Sequence, residues 1–445
     1  MEDGILFSDL NLNKPLLNAL EDMGYAHPTA IQHQVFSVVM SGKDVIGTAQ
    51  TGTGKTLAYL LPLLRQWQFT KEKHPSILIL VPTRELVAQV ESECKQLTTY
   101  MNVRIAGVFG GVNLKQHTAL IQDGVDVLIA TPGRLMDLVL NGALRLKSIK
   151  RLVIDEVDEL LNLGFLLQLN AIFEVLPERR QNIMFSATMT DEVQKLLEEN
   201  FNQPVRVEAT AMGAPSDRID QAYFRVPNFL TKINLLVDIL QDKEEFKKVM
   251  VFAESKSAAD IIFEITEQTF GSEIGVIHSN KSQNARFATV EKFDQGELRV
   301  LIGTDVIARG IDVEGVSHVI NLDVPETPEL YFHRIGRTGR GNSYGVAITM
   351  VAPYEETNWD QIESYLGKRI DELQMPEDIE VDSRLLPDEQ PKSVMPNLEL
   401  KNPTKMVSQG AFQEKLGKNL KVNMHMTRGE KMKLKYGKPK KRRNN

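Results

Sequence analysis

Two series of short apolar runs constrain the fold of this 445-residue chain more than any other feature. In both series the runs alternate with longer amphipathic stretches. The first comprises DVIG (44–47), SILILVP (76–82), DVLIATP (126–132), RLVID (151–155) and NIMFSAT (182–188), and the second KVMVFAES (248–255), EIGVIHS (273–279), RVLIGTD (299–305), HVINLD (318–323) and GVAITMV (345–351). Short buried strands separated by helix-length segments are typical of parallel sheets with crossover helices. We therefore predict an α/β protein with two tandem parallel-sheet domains.

The chain divides into four segments where its composition changes. Residues 1–208 form the first predicted domain and residues 219–370 the second. Residues 209–218 are mostly small and polar and include Gly and Pro, which favours a short interdomain linker. Beyond residue 370 the alternation stops, so we expect residues 371–445 to form a disordered tail, acidic and then basic.

The net charge of -7 conceals an asymmetry along the chain. Residues 401–445 contain 14 Lys or Arg and 2 Asp or Glu, a net charge of +12, whereas residues 1–400 carry -19. A flexible basic arm is a common means of holding nucleic acid. We predict that the tail tethers nucleic acid, the alternatives being a solubilising end or a nuclear-import signal.

Composition also excludes several classes of protein. Hydrophobic residues make up 42% and charged residues 25%, as in globular proteins. No apolar run approaches the ~20 residues of a membrane span, and the N-terminus lacks the features of a secretory signal, so we expect a cytoplasmic protein without membrane contact. Cys94 is the single cysteine, which excludes an intrachain disulfide and a multi-cysteine zinc site.

A phosphate-binding loop is the clearest functional motif. The segment AQTGTGKT (49–56) follows the run DVIG and precedes an apolar helix. Gly52 and Gly54 allow backbone amides to converge, and the helix N-terminus favours an anion at the same point. Lys55 can reach the outer phosphates, and Thr56 can place its hydroxyl on Mg²⁺. We predict a site for ATP and Mg²⁺, the alternative being a loop that is merely rich in glycine.

Adjacent carboxylates follow the run RLVI. Asp155 and Glu156 would emerge at the edge of a parallel sheet where ligands bind. We expect Asp155 to hold Mg²⁺ and its waters, and Glu156 to orient and deprotonate the water that attacks the γ-phosphate. A solvated loop or an acidic first turn of a helix is the alternative.

A basic segment in the second domain offers a partner for this chemistry. In HRIGRTGR (333–340), His333, Arg337 and Arg340 lie at i, i+4 and i+7, on one face if the segment is helical. An arginine supplied by a separate body can stabilise the charge on a transferring phosphoryl group by ~10³–10⁵ in rate. We expect Arg337 and Arg340 to act in this way, unless the segment is a nucleic-acid phosphate patch or a solvated turn.

Eleven separated motifs, in order, resemble those of the DEAD-box ATP-dependent RNA helicases. They are Gln32 in GYAHPTAIQ, AQTGTGKT, PTREL (82–86), Gly110-Gly111, TPGR (131–134), DEVD (155–158), SAT (186–188), VFAES, QNAR (283–286), GTDVIARGID and HRIGRTGR. The resemblance covers about residues 5–370. It implies two RecA-like domains that close together over ATP and single-stranded RNA.

The resemblance also implies roles for individual residues. Gln32 is expected to hydrogen-bond adenine, and the nucleotide contacts as a group are Phe7, Tyr25, Gln32, Thr51, Gly52, Thr53, Gly54, Lys55, Thr56 and, at the ribose, Asp312. The expected RNA-backbone contacts are Arg84, Gly111, Thr131, Arg134, Arg286 and Thr304. Ser186 and Thr188 are expected to hydrogen-bond Asp158 and to link the nucleotide state to domain closure. Catalytic roles are expected for Lys55, Asp155, Glu156, His333, Arg337 and Arg340.

Two positions depart from the family pattern, because Val157 and Ile307 stand where alanine is usual. Added methyl groups in packed positions require neighbours to adjust. We expect activity to survive, since the flanking charged and hydroxyl groups are intact.

The favoured interpretation is an ATP-dependent RNA helicase that acts as a monomer on RNA and on ribonucleoprotein partners. One alternative is an ATP-gated RNA clamp whose hydrolysis is incidental. Another is a DNA translocase or small-molecule kinase, which would share the phosphate loop but neither the Gln32 segment nor HRIGRTGR.

Overall fold

The structure, a computed structural model, describes residues 5–49, 53–208, 218–305, 313, 315–339 and 344–384. Within these residues the strands form two seven-stranded sheets, and the strand pairs in both are parallel. The prediction of an α/β protein with two tandem parallel sheets is confirmed.

The first domain alternates strands and helices along the chain. Its strands are β1 (Val45–Thr48), β2 (Ile77–Leu80), β3 (Ile105–Val108), β4 (Val127–Ala130), β5 (Arg151–Ile154), β6 (Gln181–Ser186) and β7 (Val205–Glu208). Its helices are α1 (Lys14–Asp22), α2 (Ala30–Met40), α3 (Lys55–Arg65), α4 (Arg84–Leu97), α5 (Leu114–Gln122), α6 (Pro132–Leu140), α7 (Val157–Asn162), α8 (Leu166–Val175) and α9 (Asp191–Asn200).

The second domain repeats this alternation. Its strands are β8 (Ile219–Arg225), β9 (Val249–Phe252), β10 (Ile274–Ile277), β11 (Val300–Gly303), β12 (His318–Asn321), β13 (Gly345–Val351) and β14 (Asp371–Leu373). The described helices are α10 (Phe229–Ile239), α11 (Lys256–Phe270), α12 (Gln283–Asp294), α13 (Pro328–Ile335) and α14 (Glu356–Leu366).

Both sheets have the same strand order. The strand order is β3-β4-β2-β5-β6-β1-β7 in the first sheet and β10-β11-β9-β12-β13-β8-β14 in the second. Each strand number in the second order is seven higher than the corresponding number in the first. Because β5, β6 and β1 are neighbours and parallel, the loops that follow them leave the sheet at adjacent points of one edge. The phosphate loop and the carboxylates after β5 are therefore brought together by topology.

The strands of the first sheet are buried on both faces. In β2, Ile77 and Ile79 pack into one hydrophobic cluster, while Leu78 and Leu80 pack into another on the opposite face. Successive side chains of a strand point to opposite faces, so an unbroken apolar run is what a strand covered by helices on both sides requires. This packing accounts for the apolar runs that the sequence shows.

The second domain extends beyond its predicted end at residue 370. Strand β14 pairs with β8 at the sheet edge, and the following residues run along α10. There Asn228 Nδ2 donates to the carbonyl of Asp382 (2.6 Å), and Asn234 Nδ2 donates to that of Glu380 (2.8 Å). The predicted tail therefore does not begin at 371. Residues 385–445 of that tail and 209–217 of the predicted linker lie outside the described residues.

A buried ion pair lies at the centre of the second domain. The Lys232 ammonium on α10 donates to Glu355, and both side chains are almost inaccessible, 0% and 6% exposed. The Glu355 carboxylate also accepts from the backbone amides of Val324 (3.1 Å) and Ala352 (2.7 Å). This set of contacts ties α10 to the ends of β12 and β13.

We predict that Lys232→Met destabilises the second domain by ~3–5 kcal/mol, because the buried Glu355 carboxylate loses its counter-charge. Trp359 is buried in the second domain, and Trp67 is the only other tryptophan. Urea denaturation followed by Trp359 fluorescence in a Trp67→Phe background therefore reports this domain. The control is Lys243→Met, which breaks the exposed pair with Glu273 and is expected to cost less than ~1 kcal/mol. Equal losses in the two variants would contradict the prediction.

Candidate active site

Lys55 opens helix α3 at the carboxyl end of β1. Gly54 caps this helix with φ of +85°, a left-handed conformation that favours glycine. The Lys55 side chain is 7% exposed, and its Nζ has no hydrogen-bond partner among the described residues. An unpaired buried ammonium is costly, and a polyphosphate at the helix N-terminus would satisfy it. The predicted nucleotide contacts Thr51 and Gly52 lie outside the described residues.

Gln32 braces the phosphate loop against α2. Its Oε1 accepts from the backbone amide of Thr29 (2.8 Å), and its Nε2 donates to the carbonyl of Gly54 (3.1 Å). The Thr29 hydroxyl donates to the carbonyl of Thr53 (2.9 Å). A Cβ atom at Gly54 would lie 2.3 Å from the Gln32 amide nitrogen, so only glycine fits beside this contact. A primary amide retains a second N–H and a second lone pair, which leaves Gln32 able to bind a base.

The two aromatic residues predicted near the base differ in accessibility. Phe7 is 3% exposed and belongs to the hydrophobic core of the first domain. Tyr25 is 46% exposed. Of the two, only Tyr25 offers an accessible ring face.

Asp155 is held by two hydrogen bonds directly after β5. Its Oδ2 accepts from the Tyr59 hydroxyl (3.1 Å), and its Oδ1 accepts from the backbone amide of Glu156 (3.0 Å). Burial raises the pKa of Asp155, while the Lys55 ammonium acts in the opposite direction. Tyr59 is fully buried on α3 and was not among the predicted site residues. Its spacing from Lys55, one turn along the same helix, is the signal by which it could have been found.

Glu156 has a strained backbone, with φ of 50° and ψ of 53°. A non-glycine residue in this region costs about 1–3 kcal/mol and occurs most often at functional sites. Burial raises the pKa of Glu156 to about 7, although the positive charges of Lys55 and Arg337 oppose the increase. The side chain therefore faces charges from both domains. The next residue, Val157, is fully buried in the core, as expected for a position that requires local repacking.

Asp158 contacts one of its two predicted partners. Its Oδ2 accepts from both the backbone amide and the hydroxyl of Thr188, each at 2.9 Å. The Ser186 hydroxyl instead donates to the carbonyl of Thr188 (2.6 Å). Since a hydroxyl has a single proton, the predicted bond from Ser186 to Asp158 is not made. Ser186 stabilises the turn that carries Thr188.

The basic segment of the second domain begins in the last turn of α13. Arg337 is 5% exposed, and its Nε donates to the carbonyl of His333 (3.2 Å). Three residues earlier, Arg334 pairs with Asp305 and with Asp323 (3.1 Å) and lies over the ring of Phe252. Burial alone would lower the pKa of Arg334, but the two carboxylates raise it overall. Sequence analysis missed Arg334, which anchors the segment that presents Arg337.

Three sequence-based predictions in the second domain lie outside the described residues. They are the catalytic role of Arg340, the ribose contact of Asp312 and the repacking around Ile307.

An ion pair joins the two domains on the predicted RNA side. Arg286 on α12 contacts the carboxylate of Glu85 on α4, and the two side chains are 5% and 8% exposed. Arg84, the first residue of α4, remains 29% exposed. Glu85 was missed by sequence analysis although it stands within PTREL, because its partner lies in the other domain.

Two further predicted RNA contacts, Thr131 and Thr304, are almost buried at strand ends, 8% and 7% exposed.

Arg134 points into the first domain. One guanidinium nitrogen lies 2.7 Å from Nδ1 of His117, and another donates to the carbonyl of Val112 (2.8 Å). Val112 follows Gly111, which has φ of +85° and is exposed. Arg134 is therefore bonded to the Gly110-Gly111 loop, and only a small part of its surface remains for RNA.

No group of three or more His, Cys, Asp or Glu in the described part of the chain could hold a metal ion by itself. A divalent ion next to Asp155 would take its remaining ligands from phosphates, water and the Thr56 hydroxyl, as Mg²⁺ usually does in nucleotide sites. None of the described helices is long and apolar enough to cross a membrane.

Two family models match the chain, one for each sheet. The DEAD/DEAH box helicase model matches residues 29–196, and the helicase conserved C-terminal domain model matches residues 231–342. Among proteins with a curated name, the chain is 36% identical over 372 residues to the DEAD-box ATP-dependent RNA helicase CshA of Geobacillus kaustophilus. That alignment covers 83% of this chain and 78% of the relative.

Two solved structures have a similar fold. S. cerevisiae Dbp5 bound to RNA and ADP BeF3 has a TM-score of 0.75 and 27% identity, covering 83% of this chain and 95% of that one. Mss116p bound to ssRNA and AMP-PNP has a TM-score of 0.78 and 26% identity, covering 84% and 80%. These similarities extend over both RecA-like domains, and the predicted resemblance is confirmed: the chain belongs to the DEAD-box family of helicases.

Proposed function

We propose that this protein is an ATP-dependent RNA helicase, in which RNA-stimulated ATP hydrolysis drives local strand separation or the remodelling of RNA–protein complexes. One observation carries the proposal. The general base predicted in the first domain, Glu156, lies within electrostatic reach of Arg337 from the second domain. A hydrolytic site that needs both domains couples turnover to whatever brings the domains together.

ATP would bind at the carboxyl edge of the first sheet. The unpartnered Nζ of Lys55 would contact the outer phosphates, and the braced amide of Gln32 would hydrogen-bond the adenine. Asp155, held by Tyr59, would bind Mg²⁺ through its waters together with Thr56. Mg²⁺ neutralises phosphate charge when it is bound.

Glu156 would orient the attacking water and accept its proton. Its pKa of about 7 matches this task, because a base works best when its pKa lies near the working pH. Arg337 would stabilise the charge that develops on the γ-phosphoryl oxygens. Arg334 keeps Arg337 in place through its buried pairs with Asp305 and Asp323.

RNA would stimulate hydrolysis by favouring the closed arrangement. Arg84, Arg286, Thr131, Thr304 and the Gly111 loop would contact the phosphate backbone, with Arg134 supporting the loop. The Glu85–Arg286 pair lies where both domains meet on this side. A strand that binds both domains shifts the equilibrium towards closure, and the Asp158–Thr188 contact would link closure to the nucleotide. The RNA-bound state of both solved relatives supports this proposal.

Further parts of this proposal come from the sequence alone. The monomeric state, ribonucleoprotein partners and cytoplasmic location stay predictions.

The decisive experiment compares ATP hydrolysis with RNA, with single-stranded DNA and without nucleic acid. We expect strong stimulation by RNA and little by DNA, since the 2′-hydroxyl distinguishes the two. Glu156→Gln should still bind ATP but hydrolyse it at a background rate. Equal turnover under all three conditions would reject RNA coupling, and a Glu156→Gln protein as fast as the parent would reject Glu156 as the base.

The pH dependence of hydrolysis should report Glu156. Because only the carboxylate accepts a proton, kcat/KM for ATP is expected to fall as the pH drops through about 7. Arg337 lowers the pKa of Glu156, so Arg337→Met should raise that pKa. The falling limb of the pH profile, where kcat/KM decreases, should then move to higher pH. Arg206→Met, at an exposed arginine of β7, is the control that should leave the limb unchanged. A falling limb that stays in place in Arg337→Met would contradict the electrostatic influence of Arg337 on Glu156.

The basic tail should tether RNA. Residues 431–443 contain 8 Lys or Arg and no acid. Deleting residues 431–445 is expected to raise the RNA concentration for half-maximal hydrolysis and to make RNA binding less sensitive to salt, with kcat unchanged. A matched variant with those 8 residues changed to Gln keeps the length and removes the charge. Unchanged RNA affinity and salt dependence in both variants would reject the tether.

A further inference from the structure

His117 is the least expected residue on the RNA side of the first domain. It lies on α5 and is 5% exposed, with its ring edge-on to Phe109 at 5.4 Å between centroids. Its Nδ1 lies 2.7 Å from a guanidinium nitrogen of Arg134 on α6. A buried histidine bonded to a buried arginine is unusual, because each can carry a positive charge.

The chemistry of this contact determines the state of the ring. Arg134 has donors only and stays protonated in proteins, so Nδ1 of His117 must be the acceptor. The imidazole is then neutral, with its proton on Nε2. A protonated His117 would have no acceptor, and it would place two cations within hydrogen-bond distance of each other.

The charged surroundings also favour the neutral ring. Arg134 faces His117 from α6 and is itself paired with Asp137 (3.5 Å). Glu91 faces it from α4, but that carboxylate is already paired with Lys95 (2.7 Å). Burial lowers the pKa of His117, Arg134 lowers it further, and Glu91 opposes them.

The contact has a consequence for the exposed loop beside it. The same guanidinium that His117 holds donates to the carbonyl of Val112, directly after the Gly110-Gly111 turn. The planar guanidinium fixes these two bonds relative to each other. Losing the acceptor at His117 would leave the guanidinium held by Val112 and Asp137 alone, and its grip on the loop would loosen.

We propose that His117 is a positioning residue for RNA binding, and that protonation of its imidazole releases Arg134 and the Gly110-Gly111 loop and weakens RNA binding. This inference rests on the proposed function, since it assumes that RNA binds beside this loop. It makes RNA affinity a second property that responds to moderate acidification, separate from the hydrolytic step that depends on Glu156.

The test compares the full-length protein with His117→Gln and His117→Leu. Glutamine offers an acceptor oxygen that does not titrate, and leucine offers no acceptor. The dissociation constant for a fluorescent single-stranded RNA, with AMP-PNP and Mg²⁺ present, is measured from about pH 8 to 5.5, spanning the range in which histidine titrates. The RNA concentration for half-maximal hydrolysis and kcat at saturating RNA are measured at neutral pH.

We expect the parent to lose about tenfold in RNA affinity as His117 is protonated, the size expected for losing a hydrogen bond to a charged group. His117→Gln should bind RNA like the parent at pH 8 and lose less affinity on acidification. His117→Leu should bind about tenfold more weakly at pH 8, with kcat at saturating RNA unchanged.

Two results would overturn the inference. One is a pH dependence of RNA binding in His117→Gln that equals that of the parent. The other is a His117→Leu protein that binds RNA as tightly as the parent at pH 8. If the parent itself neither bound RNA nor showed RNA-stimulated hydrolysis, the proposed function would fail instead. If leucine prevents folding, the glutamine comparison alone decides.

Discussion

Parallel strands all end at the same edge of a sheet, and the active site depends on this constraint. In the first sheet it brings the loops after β1, β5 and β6 together, so that Lys55, Asp155 and Thr188 lie on one edge. The second sheet repeats the strand order and carries Arg334 and Arg337 after β12. The repeated fold thus places these charged residues of both domains at the carboxyl edges of their sheets.

Some charged side chains of each domain interact with the other domain or are placed to interact with a ligand. The buried Nζ of Lys55 has no hydrogen-bond partner among the described residues, and burial raises the pKa of Glu156 while the charges of Lys55 and Arg337 oppose the increase. On the RNA side, Glu85 and Arg286 pair across the domains. By contrast, Lys232 and Glu355 are satisfied entirely within the second domain. The first pair joins the two domains, and the second ties elements of one domain together.

Sequence reasoning predicted what lies close together along the chain. The central strands were predictable because burial on both faces demands apolar runs such as that of β2, whereas β7, β8 and β14 are interrupted by charged residues. Lys55, Asp155 and Glu156 stand within local motifs. The contacts that were missed join Tyr59 to Asp155, 96 residues apart, and Arg286 to Glu85, 201 residues apart. Only three-dimensional packing determines such pairs.

One outer strand of each sheet, β7 in the first and β14 in the second, has a consequence for the behaviour of the protein at high concentration. Among the described residues each pairs with a neighbouring strand on one side only, and an open strand edge is the template on which another chain can add a strand. Arg206 and Glu208 are exposed on β7, and Asp371 and Glu372 are exposed on β14. Charges at these positions disfavour edge-to-edge pairing with a second molecule. The same polarity that hid β7 and β14 from sequence reasoning therefore protects one edge of each sheet from pairing with another chain.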